Sequence, residues 1–258
     1  MRYHLSFEGA MFPLTKTFQF KPELMSYELM LDPLTRVIPF AVLPTKSIRT
    51  LRLSGNCRFL RKESMPSLRH LTIHGVTGQY FDQEGLDECF PEAHLDSFVY
   101  AQGHRHGFEI RDRHLETLVA GPGPRMRKLV LLGCSRLTSS VITSCLQHLP
   151  TLEYFAVSIV TVNELHSNFV LALPLTIFVL KIQITHAWYA IPLISEEREI
   201  CNALETGIMR RRPPPDAMYL SMHSEVINED GRAERWKTIA EEANFTLKVG
   251  PWEDKEDG

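Results

Sequence analysis

Apolar residues recur along this chain in triplets, separated first by two residues and then by one. Seven copies can be placed: Ile48/Leu51/Leu53, Leu68/Leu71/Ile73, Leu95/Phe98/Tyr100, Met126/Leu129/Leu131, Leu152/Phe155/Val157, Leu175/Phe178/Leu180 and Ala217/Leu220/Met222. Their central positions lie 20, 27, 31, 26, 23 and 42 residues apart, which places the insertions in the connections and leaves the strands constant. A short strand with one apolar side cannot bury that side alone, whereas stacked copies can. Pro66, Pro124, Pro150 and Pro215 each stand two residues before the first apolar position of a copy, where proline ends a return segment and opens a strand.

Between the triplets run helical patterns. Leu137, Val141, Cys145 and Leu149 recur every fourth residue with Leu146 beside them, and Thr138 stands where an N-cap belongs. Ile200, Leu204 and Ile208 form a second stripe, preceded by Ser195-Glu196-Glu197 and followed by Arg210-Arg211-Arg212, charges that suit the two ends of a helix dipole. Trp236, Ile239, Ala240 and Ala243 form a third, followed by the alternating strand Phe245, Leu247, Val249. The expected architecture is therefore α/β: a leucine-rich-repeat solenoid, with a curved parallel β-sheet on the concave side and irregular helices on the convex side. Residues 1–46 read as degenerate N-terminal repeats or a cap, since Tyr3/Leu5/Phe7, Phe18/Phe20 and Leu29/Leu31 alternate without clear phase. Residues 47–250 read as the solenoid with its capping helix and strand, and residues 251–258 as an acidic tail.

The stretch Cys134-Ser-Arg-Leu137-Thr138-Ser-Ser-Val141, continuing through Leu149-Pro150-Thr-Leu152-Glu-Tyr-Phe155-Ala-Val157, resembles the cysteine-containing repeat of the ribonuclease-inhibitor-like superfamily. That repeat is best known from F-box/leucine-rich-repeat proteins, and the irregular spacing resembles the repeat region of the F-box-like proteins abundant in basidiomycete fungi. The resemblance implies substrate recognition for an F-box-type ubiquitin ligase. A Leu-Pro-x-Glu-like F-box signature is not recognised in the 258 residues, so the resemblance implies adaptor docking through a separate F-box.

Composition narrows the rest. A net charge of −3 gives no global positive field for nucleic acid. Cys57, Cys89, Cys134, Cys145 and Cys201 are scattered, with no C-x-x-C pair, which disfavours a disulfide framework or zinc site and suits a reducing compartment, cytoplasmic or nuclear. The N-terminus lacks the apolar core of a secretory signal, and the run Phe169–Leu180 is too short for a membrane span and is broken by Pro174. Neither nucleic acid nor membrane is an expected partner.

Catalytic signatures are missing: no G-x-G-x-x-G, Walker loop, G-x-S-x-G elbow or H-E-x-x-H occurs, so no enzyme, metal or cofactor is expected. His104 and His106, with His94, His114 and Cys89 nearby, lie in the insertion of the longest early repeat and read as loop. Gly121-Pro-Gly-Pro124 reads as a turn, because proline removes the donors of a phosphate cradle. Arg210 to Pro215 reads as a helix end and stiff linker.

Strand side chains alternate, so residues beside the apolar positions line the concave surface. The expected partner-binding residues are Arg52, His74, Val99, Val130, Leu132, Tyr154, Val179, Lys181 and Tyr219, with Trp188 on a neighbouring loop. The expected middle row is Arg52, Thr72, Val99, Val130, Ala156, Val179 and Ser221, whose four apolar members would form a strip about 14 Å long. Such a strip is either open for a partner or covered by the insertion His186-Ala-Trp188-Tyr189. The expected function is a non-enzymatic module holding a protein partner on that face; the alternative is a structural or scaffolding repeat protein with no ligase role.

Overall fold

The computed structural model describes residues 4–6, 26–31, 45–56, 64–77, 81, 85–103, 107–162 and 164–253. Much of the predicted N-terminal cap, the histidines 104 and 106, and the tail from 254 lie outside the described residues. The chain forms two compact units, Met1–Met126 and Arg127–Gly258.

The first unit holds β1 (His4–Ser6), β2 (Ser26–Leu31), β3 (Thr50–Asn56), β4 (His70–Thr77) and β5 (Ser97–Ala101), each parallel to the next in sequence order. Leu51 pairs with Leu71 and Leu71 with Phe98, so the central apolar positions stack as the triplets require. Leu51, Leu53, Leu71, Ile73, Phe98 and Tyr100 are buried, each removal from water stabilising by roughly 1.5–3 kcal/mol. The backbone marks each copy in the same way: the Arg49 carbonyl accepts from both Arg69 and His70, and the Arg69 carbonyl from both Asp96 and Ser97. Helices α1 (Leu86–Cys89) and α2 (Asp112–Ala120) occupy the connections. In α2 the buried His114 accepts the Arg111 N–H at Nδ1 and donates from Nε2 to the Phe81 carbonyl, so this histidine is a satisfied core residue.

The second unit repeats the plan with β6 (Lys128–Cys134), β7 (Tyr154–Thr161), β8 (Val179–His186), β9 (Ala217–Ser221) and β10 (Thr246–Val249), again parallel and in order. Helices α3 (Ser139–Gln147), α4 (Asn168–Leu171), α5 (Ile194–Ala203), α6 (Ser224–Asn228) and α7 (Arg232–Ala243) contact one another in sequence order. Thr138 caps α3, its hydroxyl accepting from the Val141 N–H at 3.2 Å, as its position predicts. The stripes Val141, Cys145, Leu146 and Ile200, Leu204, Ile208 are buried. Burial pushes the Cys145 and Cys201 thiols up to about 12, which leaves almost no thiolate at neutral pH. Gly133, at φ +74°, sits where β6 shifts register before Cys134, a conformation that penalises a Cβ.

Two strands depart from the predicted phase. In β8 the buried triplet is Ile177/Leu180/Ile182, with Leu180 opposite Phe155, while Leu175 and Phe178 are 81% and 50% exposed. In β9 the pairing of Met218 with Leu180 and Leu220 with Ile182 makes the inward residues Pro215, Met218 and Leu220. Pro215 therefore occupies the first apolar position itself. The cause is local: residues 175–182 are apolar at two overlapping settings of the template, and the pairing with β7 selects one. The Arg211 guanidinium, donating to the carbonyls of Pro174 and Ile177, fastens the entry to β8 in that setting. Ser195 lies inside α5 rather than capping it, its hydroxyl donating to Glu196. Val249 is 38% exposed and contributes little to the core expected of the last strand.

The architecture shown is α/β with parallel strands joined through helices and turns. Among the described residues no helix is long and apolar enough to cross a membrane.

Candidate functional site: a lysine and aromatic face on the second unit

Alternation along β6–β10 turns one set of side chains away from the core rows. Cross-strand pairing arranges them in rows. The first is Lys128, Tyr154, Val179, Ala217, Thr246, and the second is Val130, Ala156, Lys181, Tyr219, Lys248.

These rows correct the predicted strip. Val179 lies beside Tyr154 and Ala217, so the position next to Ala156 belongs to Lys181, and Tyr219 replaces Ser221 beside it. Val130 and Ala156 are both fully buried, so no open apolar strip exists there. Nor does the predicted loop cover it: Trp188 and Tyr189, between β8 and α5, are 88% and 65% exposed. Leu132, Tyr154, Val179, Lys181 and Tyr219 are half-buried. In the first unit Arg52 and Val99 are half-buried and His74 is exposed, on β3, β5 and β4 respectively.

The rows bring cations against rings. Lys128 Nζ lies 4.8 Å and Lys181 Nζ 5.3 Å from the Tyr154 ring centroid. Lys181 Nζ also lies 5.1 Å from the Tyr219 ring and 5.6 Å from the Trp252 ring. An ammonium within about 6 Å of a ring centre is attracted to its negative face, with roughly 0.5–1 kcal/mol per contact at accessible sites. Trp252 was missed by the sequence reading, which placed it in the tail. It is 8% exposed, and its indole N–H donates to the Ile182 carbonyl at 3.2 Å. Gly250, at φ +125° and bonded from its N–H to the Leu220 carbonyl, turns the chain after β10 so that the indole reaches back past β9. A tryptophan three residues beyond the last alternating position was the available signal. Lys128 and Lys248 were legible from alternation alone.

A second polar cluster stands at the carboxyl ends of β7 and β8. Thr161 Oγ1 donates to the Thr185 carbonyl at 3.1 Å and lies 2.7 Å from His186 Nδ1, which therefore donates to it. His186 Nε2 stands 2.7 Å from Oε1 of the fully buried Glu197, out of line for a hydrogen bond. Glu197 Oε2 accepts the His223 N–H at 2.7 Å. A hydroxyl, an imidazole and a carboxylate in a row suggest nucleophilic chemistry, but Thr161 is 2% exposed and its proton is committed to a backbone carbonyl. The cluster ties β7, β8 and α5 to the turn after β9. Among the described residues no group of histidine, cysteine or carboxylate side chains is arranged to hold a metal ion.

Compared with protein-family models, curated proteins and solved structures, the chain matches none.

Proposed function

We propose that this chain is a non-enzymatic binding module of the leucine-rich-repeat solenoid kind, whose strand face holds a protein partner. The observation that carries this reading is the array of Lys128, Tyr154, Lys181, Tyr219 and Trp252 on the strand side of the second unit. Core packing does not require two tyrosines and a lysine in adjacent positions there, and rigid amphipathic rings are the side chains that dominate binding energy at protein interfaces. In the ligase reading the module presents a substrate while a separate F-box recruits the adaptor, in the cytoplasm or nucleus.

The test is capture of partners from native cell extract by the full chain, compared with a Tyr154→Ser/Tyr219→Ser variant. We expect the double change to remove the captured protein while circular dichroism stays the same. Capture that survives would move the site off this face. Recovery of adaptor and cullin with the wild-type chain alone would overturn the separate F-box.

A further inference from the structure

We infer that copies of this chain associate head to tail, the basic apolar edge where β8 begins in one copy docking on the aromatic turn that follows β8 in the next. The contact is separate from the strand face and goes beyond the binding-module reading.

Exposure is the first ground. The large apolar side chains exposed among the described residues are Leu171, Leu175, Phe178, Trp188, Tyr189, Ile191 and Val249, and all but the last flank β8. The first three precede the strand and the next three follow it, with exposures from 50% at Phe178 to 88% at Trp188. Single exposed apolar residues are ordinary, whereas two clusters at the ends of one strand call for a use. β8 has 8 residues and so spans about 26 Å, which keeps the two clusters of one chain from covering each other.

Local geometry holds both clusters outward. The Ala187 N–H donates to the Thr161 carbonyl at 3.2 Å and the Ala190 N–H to the Ala187 carbonyl at 2.8 Å. Trp188 and Tyr189 are therefore the two central residues of a turn, positions that favour glycine, proline, asparagine or aspartate. Their rings meet edge to face with centroids 5.4 Å apart, one projection rather than two loose side chains. At the other end, the Arg211 guanidinium donates to the Pro174 and Ile177 carbonyls, and the Phe178 N–H donates to the Glu153 carbonyl. That segment is fastened through its backbone while Leu175 and Phe178 face water.

Charge selects the pairing. Arg210, Arg211 and Arg212 adjoin the first cluster through the Arg211 bonds, and Asp216 adjoins it through its N–H to the Phe178 carbonyl, three positive charges against one negative. The second cluster runs into α5, where Glu196 and Glu199 stand three residues apart on one face; Arg198 between them is bonded to Glu229 at 2.9 and 2.7 Å. Two copies of either cluster brought together would oppose like charges, whereas the first against the second sets arginine against glutamate. A contact between unlike patches repeats instead of closing. The rings of Phe178, Trp188 and Tyr189, about 150–250 Å² each, place it at the small, transient end of interfaces.

The experiment is sedimentation velocity of the full chain over a concentration series. We expect the average sedimentation coefficient to rise past that of a dimer, and added salt to lessen the rise. Leu171→Gln/Leu175→Gln and Trp188→Ser/Ile191→Ser change exposed residues, so circular dichroism should stay the same while each weakens association at least about tenfold. An equimolar mixture of the two variants should form a dimer and nothing larger, because each supplies the cluster that the other lacks. A wild type that stays monomeric, or that saturates at a dimer, would overturn the proposal. So would variants that associate as the wild type does, or a mixture that stays monomeric while the wild type associates. Tyr154→Ser/Tyr219→Ser should associate normally; its failure to do so would move the contact to the strand face.

Discussion

The two units share a strand plan and diverge on the side turned away from the core. In the first, the core positions are Leu51, Leu53, Leu71, Ile73, Phe98 and Tyr100; in the second, Leu129, Leu131, Phe155, Val157, Leu180 and Ile182. The sets are interchangeable in kind, because each must fill the same space between stacked copies. The opposite rows are not. β3–β5 present Thr50, His70, Ser97 and Arg52, Thr72, Val99, all but the valine polar and partly bonded to each other, as His70 is to Ser97 at 2.9 Å. β6–β9 present tyrosine and lysine in contact. Packing dictates the first kind of row and is nearly silent about the second, so chemistry can vary there while the fold is kept.

The strongest way to break this division is at β8, where core and outward positions were exchanged in the predicted phase. Leu180→Ala should cost about 2–5 kcal/mol, since a fully buried leucine leaves a cavity. Phe178→Ala, at a residue 50% exposed, should cost less than about 1 kcal/mol despite removing more atoms. Denaturant titration of both variants decides it, and equal losses would restore the Leu175/Phe178/Leu180 setting. A smaller effect separates the two faces. Val130→Lys places a charge at a fully buried position and should cost roughly 1–3 kcal/mol, whereas His74→Lys, exposed in the first unit, should stay within about 0.5 kcal/mol. A tolerated lysine at 130 would mean that its side chain escapes to solvent and that this position is not enclosed.

How far these features could be read from sequence follows from how many settings each segment allows. Around Met126 and Leu129 the charged residues Arg125, Arg127 and Lys128 mark the setting, and the predicted triplet, cap and helix stripe are all found. From Leu175 to Ile184 the odd positions Leu175, Ile177 and Val179 and the even positions Phe178, Leu180, Ile182 and Ile184 are both apolar, so phase cannot be fixed without the neighbouring strand. The same slip placed Val179 in the middle row and hid the meeting of Lys181 with Tyr154 and Tyr219. Trp252 was beyond reach for another reason. Its role depends on a turn at Gly250 and a backbone carbonyl 70 residues earlier, a contact with no local periodicity.

The smallest predicted effect tests the other side of the second unit, where charges are paired rather than gathered. Arg198 on α5 holds Glu229, just after α6, through bonds of 2.9 and 2.7 Å. That hydrogen bond, opposed by slight desolvation and aided by the charge of Arg198, holds the Glu229 carboxyl below its ordinary value of 4.5. A carboxyl with a lowered folded pKa contributes stability above the ordinary value and loses it as pH falls through the lowered one. The Glu229→Gln variant should therefore melt slightly below wild type from about pH 7 down to about pH 5, and the two curves should converge below about pH 4. Both partners are solvent-accessible, so added salt should shrink the difference. A gap that persists into acid would show that the glutamate acts through packing instead of charge.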